Sequence, residues 1–504
     1  MPAMSAAHSI EQLYLGLPEY KCQSCGALLW YSERIYKSRN ESIPRFSLCC
    51  QEGKVSLPLL HPPPDLLDSL LNYKGSPQSV NFRQNIRAYN SVFAFTSIGA
   101  KIDSEINRRP GPNVFKISGQ NYHRMGSLLP FDGERPKFVQ LYIYDTENEV
   151  GNRMKAFNNV DELRNIDRDL IQRLIEIVDD KNELVKVFRM ARDRFRETDY
   201  MPIRLRLIGN RGENMAQYNP PAASEIAGLI VDDLGSADRQ RDIVVEYKTK
   251  NLKRISDLHP SFMAMQYPIL FPYGEDGFRI GIKYNESSQR KIGCRKHVTM
   301  REFYAYRMHN RLEEGKTLIN GGKLFQQYIV DAFSCVEEER LDYIRKNQSD
   351  LRSEIYRGIK DAVVAGDVDG DAIGKKIILP SSFTGGPRYM IQNYHDAIAI
   401  CRHCRHPDLF ITFTCNTQWL EIQNALQFVP GQKSEDRPDI VCRVFKMKVD
   451  ALMAEIKQGV FFGNTVADLY TIEFQKRGLP HVHILVWLHA DNKLLDILLL
   501  DILL

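Results

Sequence analysis

The chain has 504 residues, enough for about two to four domains, and its 43% hydrophobic residues suffice for packed cores. A net charge of +4 set against 67 basic and 63 acidic residues excludes a global polyanion-binding signature and leaves any nucleic-acid contact to local patches. No apolar run is long enough to span a bilayer, and the start, Met1-Pro2-Ala3-Met4-Ser5, lacks the basic and apolar regions of a signal peptide, so an intracellular protein without membrane contact is expected.

Ten cysteines in a reducing compartment favour metal ligands or buried thiols over disulfides. Cys22-Gln23-Ser24-Cys25-Gly26 is a tight turn carrying two thiols, and Cys49-Cys50 follows after a strand-like stretch. Together the four read as a small zinc-binding unit. Adjacent Cys49 and Cys50 strain the backbone if both reach one ion, which leaves His61 as a substitute ligand and buried free thiols as the competing reading. Pro58, Pro62, Pro63 and Pro64 mark a boundary.

From about residue 80 to 150, alternation in Phe93-Ala94-Phe95-Thr96, in Val114-Phe115-Lys116-Ile117 and from Phe138 to Tyr144 predicts strands joined by Gly, Pro and Asn turns. Helical spacing takes over from Val160 to Phe195 through Leu163, Ile166, Leu170, Leu174, Ile177, Leu184, Val187 and Phe188. Arg189, Arg192, Arg194 and Arg196, continued by Arg204 and Arg206, form the densest basic cluster; they suit either phosphate contact or a solvated helix face. Residues 253 to 280, rich in aromatics and proline, predict a rigid packed loop, and helical patterning returns from Thr299 to Asp361. Gly366 to Asp371 lacks the closing Glu of a calcium loop, and Gly370 to Lys376 lacks the spacing and the Ser or Thr of a phosphate loop, so no ATP site is expected.

The last third reads as one unit. Asp408 to Cys415 alternates as a strand with Phe410, Thr412 and Thr414 on one face; a helix opens near Pro438 and is stopped by Gly459. Tyr470 to Gln475 and His481 to Leu488 then predict a hairpin turning through Lys476-Arg477-Gly478-Leu479-Pro480. In a strand His481 and His483 project together, and the hairpin brings Glu473 or Gln475 opposite them. Two nitrogens and one oxygen leave coordination positions open, which suits a Lewis acid that binds a substrate phosphate, as in a nuclease. The plainer alternative is a partly exposed strand that happens to carry two histidines. Strand, helix, strand, strand is half of a split β-α-β sheet, and the 408 to 415 strand beside the histidine strand places Thr412, Thr414 and Asn416 near the ion.

These residues resemble a known family. Asp408 to Asn416 and Glu473-Phe474-Gln475-Lys476-Arg477-Gly478-Leu479-Pro480-His481-Val482-His483-Ile484-Leu485 resemble the first two motifs of the Rep-type initiator domain of Helitron transposases, a His-hydrophobe-His (HUH) endonuclease usually followed by a helicase. The resemblance extends upstream through Leu379 to Met390, Gly322 to Tyr328, His259 to Gly277, Asn121 to Pro130 and the four cysteines. It implies an α+β, multidomain chain with a zinc-finger-like unit at 1–64, a mixed middle region at 65–298, a helicase-like Rep domain at 299–489 containing an incomplete split sheet, and a low-complexity tail at 490–504. It further implies rolling-circle chemistry in the nucleus on single-stranded DNA. Mg2+ or Mn2+ is held by His481, His483 and Glu473, with Gln475 as the alternate, and DNA is contacted by Thr412, Thr414, Asn416, Lys476 and Arg477. In the family a tyrosine attacks the scissile phosphate to leave a 5′-phosphotyrosyl link and a free 3′-hydroxyl. Those tyrosines lie well beyond the histidine strand, so the chain reads as a truncated member in which the nucleophile and the helicase are both expected to be absent: metal binding is expected to survive, strand cleavage is not, and a helicase would come from another chain. The alternative is a non-catalytic nucleic-acid-binding remnant of a transposon protein. Cys401 and Cys404 stand where the family has a Gly-containing turn and read as local variation.

Overall fold

The computed structural model describes residues 14–35, 43–103, 105–108, 113–155, 166–197, 204–209, 227–230, 243–246, 248, 252–285, 295–348, 377–475 and 478–493. Over these residues the chain mixes helices with several small sheets, an α+β architecture. In chain order, β1 (Tyr20–Lys21) pairs antiparallel with β2 (Leu28–Leu29), and helices α1 (Asp65–Leu71), α2 (Pro77–Gln84) and α3 (Ile86–Phe93) follow. Short strands β3 (Ser97–Ile98), β4 (Lys101–Ile102), β5 (Ile117–Ser118) and β6 (His123–Met125) precede helices α4 (Glu149–Lys155), α5 (Arg168–Lys181) and α6 (Glu183–Glu197). Strands β7 (Arg204–Leu207), β8 (Ala227–Ile230) and β9 (Ile243–Val245) make one sheet in the order β8-β7-β9, and β10 (Lys253–Arg254) joins β6 and β3 in another. Helices α7 (Phe262–Gln266), α8 (Met300–Met308), α9 (Lys323–Lys346) and α10 (Pro387–Cys404) lead to β11 (Leu409–Thr414), α11 (Leu420–Leu426), α12 (Pro438–Lys457), β12 (Thr465–Phe474) and β13 (Pro480–Leu488). No described helix is long and apolar enough to cross a membrane.

The chain divides into two compact units, one of Met1–Phe333 with Thr417–Val441 and one of Ser334–Asn416 with Cys442–Leu504. The first is centred on aromatic packing: Phe95 stacks on Tyr142 at 4.5 Å and on Phe188 at 5.2 Å between ring centroids. Two expected strands dissolve here. Phe93 ends α3, and Phe95 and Thr96 find their partners in the α7 segment instead of in a ladder: Phe95 N donates to Met265 O (2.9 Å) and Thr96 Oγ1 to Gln266 Oε1 (2.8 Å). Phe138–Tyr142 is a 3-10 helix, in which Val139, Leu141 and Tyr142 are all buried. Gln140, which the alternation places on a solvent face, instead accepts from Lys137 N and closes the turn. Tertiary partners thus override a period-two pattern whose burial is not period two.

The helical stretch appears as two helices. Asp167 caps α5 by accepting from Asp169 N (2.9 Å) and Leu170 N (3.2 Å), and Asn182 repeats the device for α6 by accepting from Leu184 N and Val185 N. The 253 to 280 segment is packed as expected, with the single helical turn of α7 inside it.

A buried carboxylate ties distant parts of this unit together. Asp331 accepts from Tyr267 Oη at 2.7 Å and Asn121 Nδ2 at 2.6 Å, and lies 2.8 Å from His123 Nε2, whose ring stacks on Phe262 at 3.9 Å. An Asp331→Asn change turns a donor toward groups that themselves donate, so it is expected to cost about 1–3 kcal/mol of stability, read as a lower urea midpoint at unchanged m-value.

In the second unit a three-stranded antiparallel sheet has the order β11-β13-β12, which puts the histidine strand in the middle. Val482, Ile484 and Val486 on β13 are fully buried, and between them His481, His483 and Leu485 turn to the more open face. On the buried side of β13, Phe413 stacks on Phe445 of α12, a helix whose apolar stripe of Phe445, Val449 and Ile456 is itself buried. Gly459, in the left-handed region at φ +73°, ends that helix as its position suggests.

Candidate metal centres

On the open face of the sheet, register decides which side chains meet. Thr414 and Glu473 lie opposite His481, and Thr412 and Thr471 lie opposite His483. Cross-strand partners share a face, so the two imidazoles stand between two threonines on one edge strand and a carboxylate on the other. His481 Nε2 lies 3.0 Å from His483 Nε2 and 3.8 Å from Glu473 Oε2. His481 is only 13% exposed while the Glu473 side chain is 60% exposed, so the group opens toward solvent at its carboxylate. His481 Nδ1 is buried without a partner, leaving Nε2 as the atom through which this ring engages polar groups. His483 Nδ1 sits 3.2 Å from Thr412 Oγ1, and its ring stacks on Phe410 at 5.4 Å and 15°.

Gln475, the alternate ligand, stands at the turn of the hairpin. Its backbone N–H donates to Leu479 O and its carbonyl accepts from Gly478 N, closing the turn with Gly478 at φ +80°. Lys476 and Arg477 lie outside the described residues, as do Gly366 to Asp371, Gly370 to Lys376 and residues 494–504. Asn416 follows β11 in the loop after Cys415, whose N–H bonds Pro480 O at the mouth of the hairpin.

The second cluster is in the larger unit. Sulfur atoms of Cys22, Cys25, Cys49 and Cys50 all lie within 4.8 Å of one another. Cys22 to Cys50 is 3.7 Å and Cys49 to Cys50 is 3.8 Å, matching the edge of about 3.8 Å of a tetrahedron with Zn–S bonds of about 2.3 Å. This four-thiol site fits a structural zinc. Contacts with Cys25, Cys49 and Cys50 hold the Cys22 thiol far below its ordinary range, while contacts with Cys22 and Cys25 push Cys49 and Cys50 up. A central cation removes this competition, because a metal-bound thiol is deprotonated outright.

The adjacent pair does reach one centre, and the strain expected of it falls on the next residues. Gln51, Glu52 and Gly53 have φ of 50°, 57° and 87°, a left-handed run that turns the chain back so that Gly53 N donates to Cys50 Sγ at 3.2 Å. His61 is not needed; it is exposed and packs edge-on against Tyr273. Cys401 and Cys404 sit at the end of α10 and join no metal cluster among the described residues.

Arg311 is the participant that sequence reading missed. Only 2% exposed, it donates from Nε to Cys25 O at 3.1 Å and directs a guanidinium N–H toward Cys25 Sγ at 3.6 Å. The same side chain bonds Tyr306 O and Glu314 Oε2, and Ala27 forms a bridge to Arg311 through the backbone. No local signal marks it, since 286 residues separate it from Cys25.

The basic cluster is internally engaged. Arg189 is buried between Glu149, Asp179 and the Tyr142 carbonyl, while Arg192 pairs with Asp193, Arg194 with Glu197, and Arg196 donates to Thr146 Oγ1. Arg189 is thereby committed to the core and turned away from any external phosphate.

Two histidines and a carboxylate converging on an open sheet face, apart from a closed four-thiol centre, define a protein with one open and one structural candidate metal site. Residues 303–486 match the family described as the Helitron helicase-like domain at the N-terminus, and this stretch is a Helitron helicase-like region. The match contains the open site, while the four cysteines lie before it. No curated protein matches the chain.

Proposed function

We propose that this chain is a Helitron transposon protein that works on single-stranded DNA in the nucleus, and that its open site is the divalent-metal centre of a Rep-type initiator. The observation that carries the reading is the convergence of His481 Nε2, His483 Nε2 and Glu473 Oε2 on an exposed sheet face inside the matched region. Two imidazole nitrogens with an exposed carboxylate leave coordination positions open to oxygen ligands, a donor set that suits Mg2+ or Mn2+ at a phosphate-binding site better than a closed zinc. When bound, such an ion supplies Lewis-acid polarisation of a phosphate.

The chain's own residues do the rest. His481, held from below by the buried Val482 side of β13, and His483, braced by the Thr412 hydroxyl, fix two nitrogens before any ligand arrives. Glu473 supplies the negative charge that offsets the ion and, being exposed, leaves the phosphate side of the site open. Thr414 lies in register with His481 and presents its hydroxyl to a backbone running across the sheet. No nucleophile is assigned; the site accounts for binding and orientation of a phosphate.

The test is Mn2+ binding followed by electron paramagnetic resonance, with anisotropy of a labelled single-stranded oligonucleotide measured in parallel. Wild type is expected to bind one Mn2+ at this site and to bind DNA more tightly with it. His481→Ala is expected to lose Mn2+ affinity at least a hundredfold and to lose the metal-dependent part of DNA binding. Metal-independent DNA binding that ignores His481→Ala overturns the proposal. A covalent protein–DNA adduct formed only with metal assigns a tyrosine within the chain as the nucleophile.

A further inference from the structure

Phe410 is an exposed aromatic ring beside the open site. It alternates with Thr412 and Thr414 on the open face of β11, is 63% exposed, and is in register with Leu485, one pair beyond His483. One side of the ring stacks on the His483 imidazole at 5.4 Å and 15°, and the rest is left in water. Leu409, Ile411 and Phe413 on the other face are all more covered. An exposed phenyl fixed on a strand, with only two side-chain torsions and one of its neighbours already clamped to Thr412, is preorganised to receive a flat ligand at little entropic cost.

Resting on the proposed function, we propose that Phe410 is a stacking platform for one nucleobase of the single strand whose phosphate lies at His481, His483 and Glu473. The chemistry selects this ligand. Every base has an apolar π-face, so stacking holds a strand without demanding a sequence, and the metal cluster next to the ring accounts for the phosphate. The register gives the arrangement a direction: the base lies on the Leu485 side of the cluster, and Glu473 lies opposite His481 on its other side. Phe410 thus sets which nucleotide of the strand is presented to the ion. A duplex keeps its bases stacked on one another and offers this ring nothing, so the platform also discriminates single strands from double.

The experiment compares wild type, Phe410→Ala and Phe410→Trp for binding of a labelled oligothymidylate in Mn2+ at fixed salt, and repeats it with an oligonucleotide of the same length made abasic throughout. Phe410→Ala is expected to weaken oligothymidylate binding about tenfold or more, Phe410→Trp to retain it, and all three to bind the abasic strand alike. Mn2+ affinity is expected to be unchanged in Phe410→Ala, which also shows that the sheet has folded. Equal oligothymidylate affinity in wild type and Phe410→Ala overturns this inference while leaving the metal site intact. Failure of wild type to bind either strand overturns the inference together with the function on which it rests.

Discussion

Cys49→Ser protein is expected to purify with no zinc where wild type carries one equivalent, and to lose about 5 kcal/mol or more of stability in the larger unit. A structural zinc supplies about 10–16 kcal/mol of apparent binding free energy to isolated zinc-finger peptides, all of it counted toward folding. Here the same four-thiol geometry is built into a unit with its own core, so only part of that energy is at stake. The elements it holds are specific. The β1–β2 hairpin carries Cys22 and Cys25 on its turn, and the left-handed run at Gln51, Glu52 and Gly53 exists to aim Cys49 and Cys50. Without the ion that run keeps its backbone cost and loses its return. Elemental analysis and thermal melts with and without chelator check this. Arg311→Met should retain the four ligands yet release zinc to a chelator about 10–100-fold more readily, because a guanidinium beside a tetrathiolate offsets its negative charge. Zinc content and melting temperature equal to wild type in Cys49→Ser would refute the assignment.

Glu149→Ala is expected to lower stability by about 3–5 kcal/mol, the range for leaving a buried charge without its partner. Glu149 is 6% exposed and accepts from Arg153 Nε at 2.8 Å, Arg153 Nη2 at 2.6 Å and Arg189 Nη2 at 2.7 Å. Arg153 is fully buried, also donates to the Val92 carbonyl, and lies over the Phe93 and Tyr142 rings at 4.7 and 4.3 Å. Arg189 keeps Asp179 as a second carboxylate, so the uncompensated charge falls on Arg153. The double change Glu149→Leu with Arg153→Met is therefore expected to recover most of the loss, since an apolar pair of similar volume needs no desolvation of ions. Urea denaturation of the single and double variants checks both statements.

The sheet and its open site were legible because local rules and tertiary outcome agree there. Alternation in β11 and β13, a glycine-bearing turn at Gly478, Pro438 at the first position of α12 and Gly459 after its end all act within a few residues of themselves. Spacing alone then puts His481 and His483 on one face, and the hairpin register brings Glu473 opposite. The 93–96 and 138–144 segments misled because their apolar residues answer to α7 and to the aromatic cluster around Tyr142, partners that no local window contains. Arg311 and Asp331 were invisible for the same reason, their contacts spanning 286 and 208 residues. Phe410 was seen as part of a face, but a sequence does not say that its neighbours leave it bare.

The order of strands in the sheet also governs how it is made during translation. β11 and β12 pair only with β13, never with each other. As the chain leaves the ribosome, both edge strands emerge before the strand that joins them, and neither has a ladder to enter until residues 480–488 appear. Between β11 and β12 the nascent chain also has to deliver Thr417–Val441 to the other unit. Two open edges therefore wait together, a state that favours capture by chaperones or pairing with a neighbouring chain. Because the late strand is also the one that carries His481 and His483, the open metal centre cannot form on a half-built sheet, and a ribosome stalled before residue 480 holds a chain that lacks both nitrogen ligands of that site.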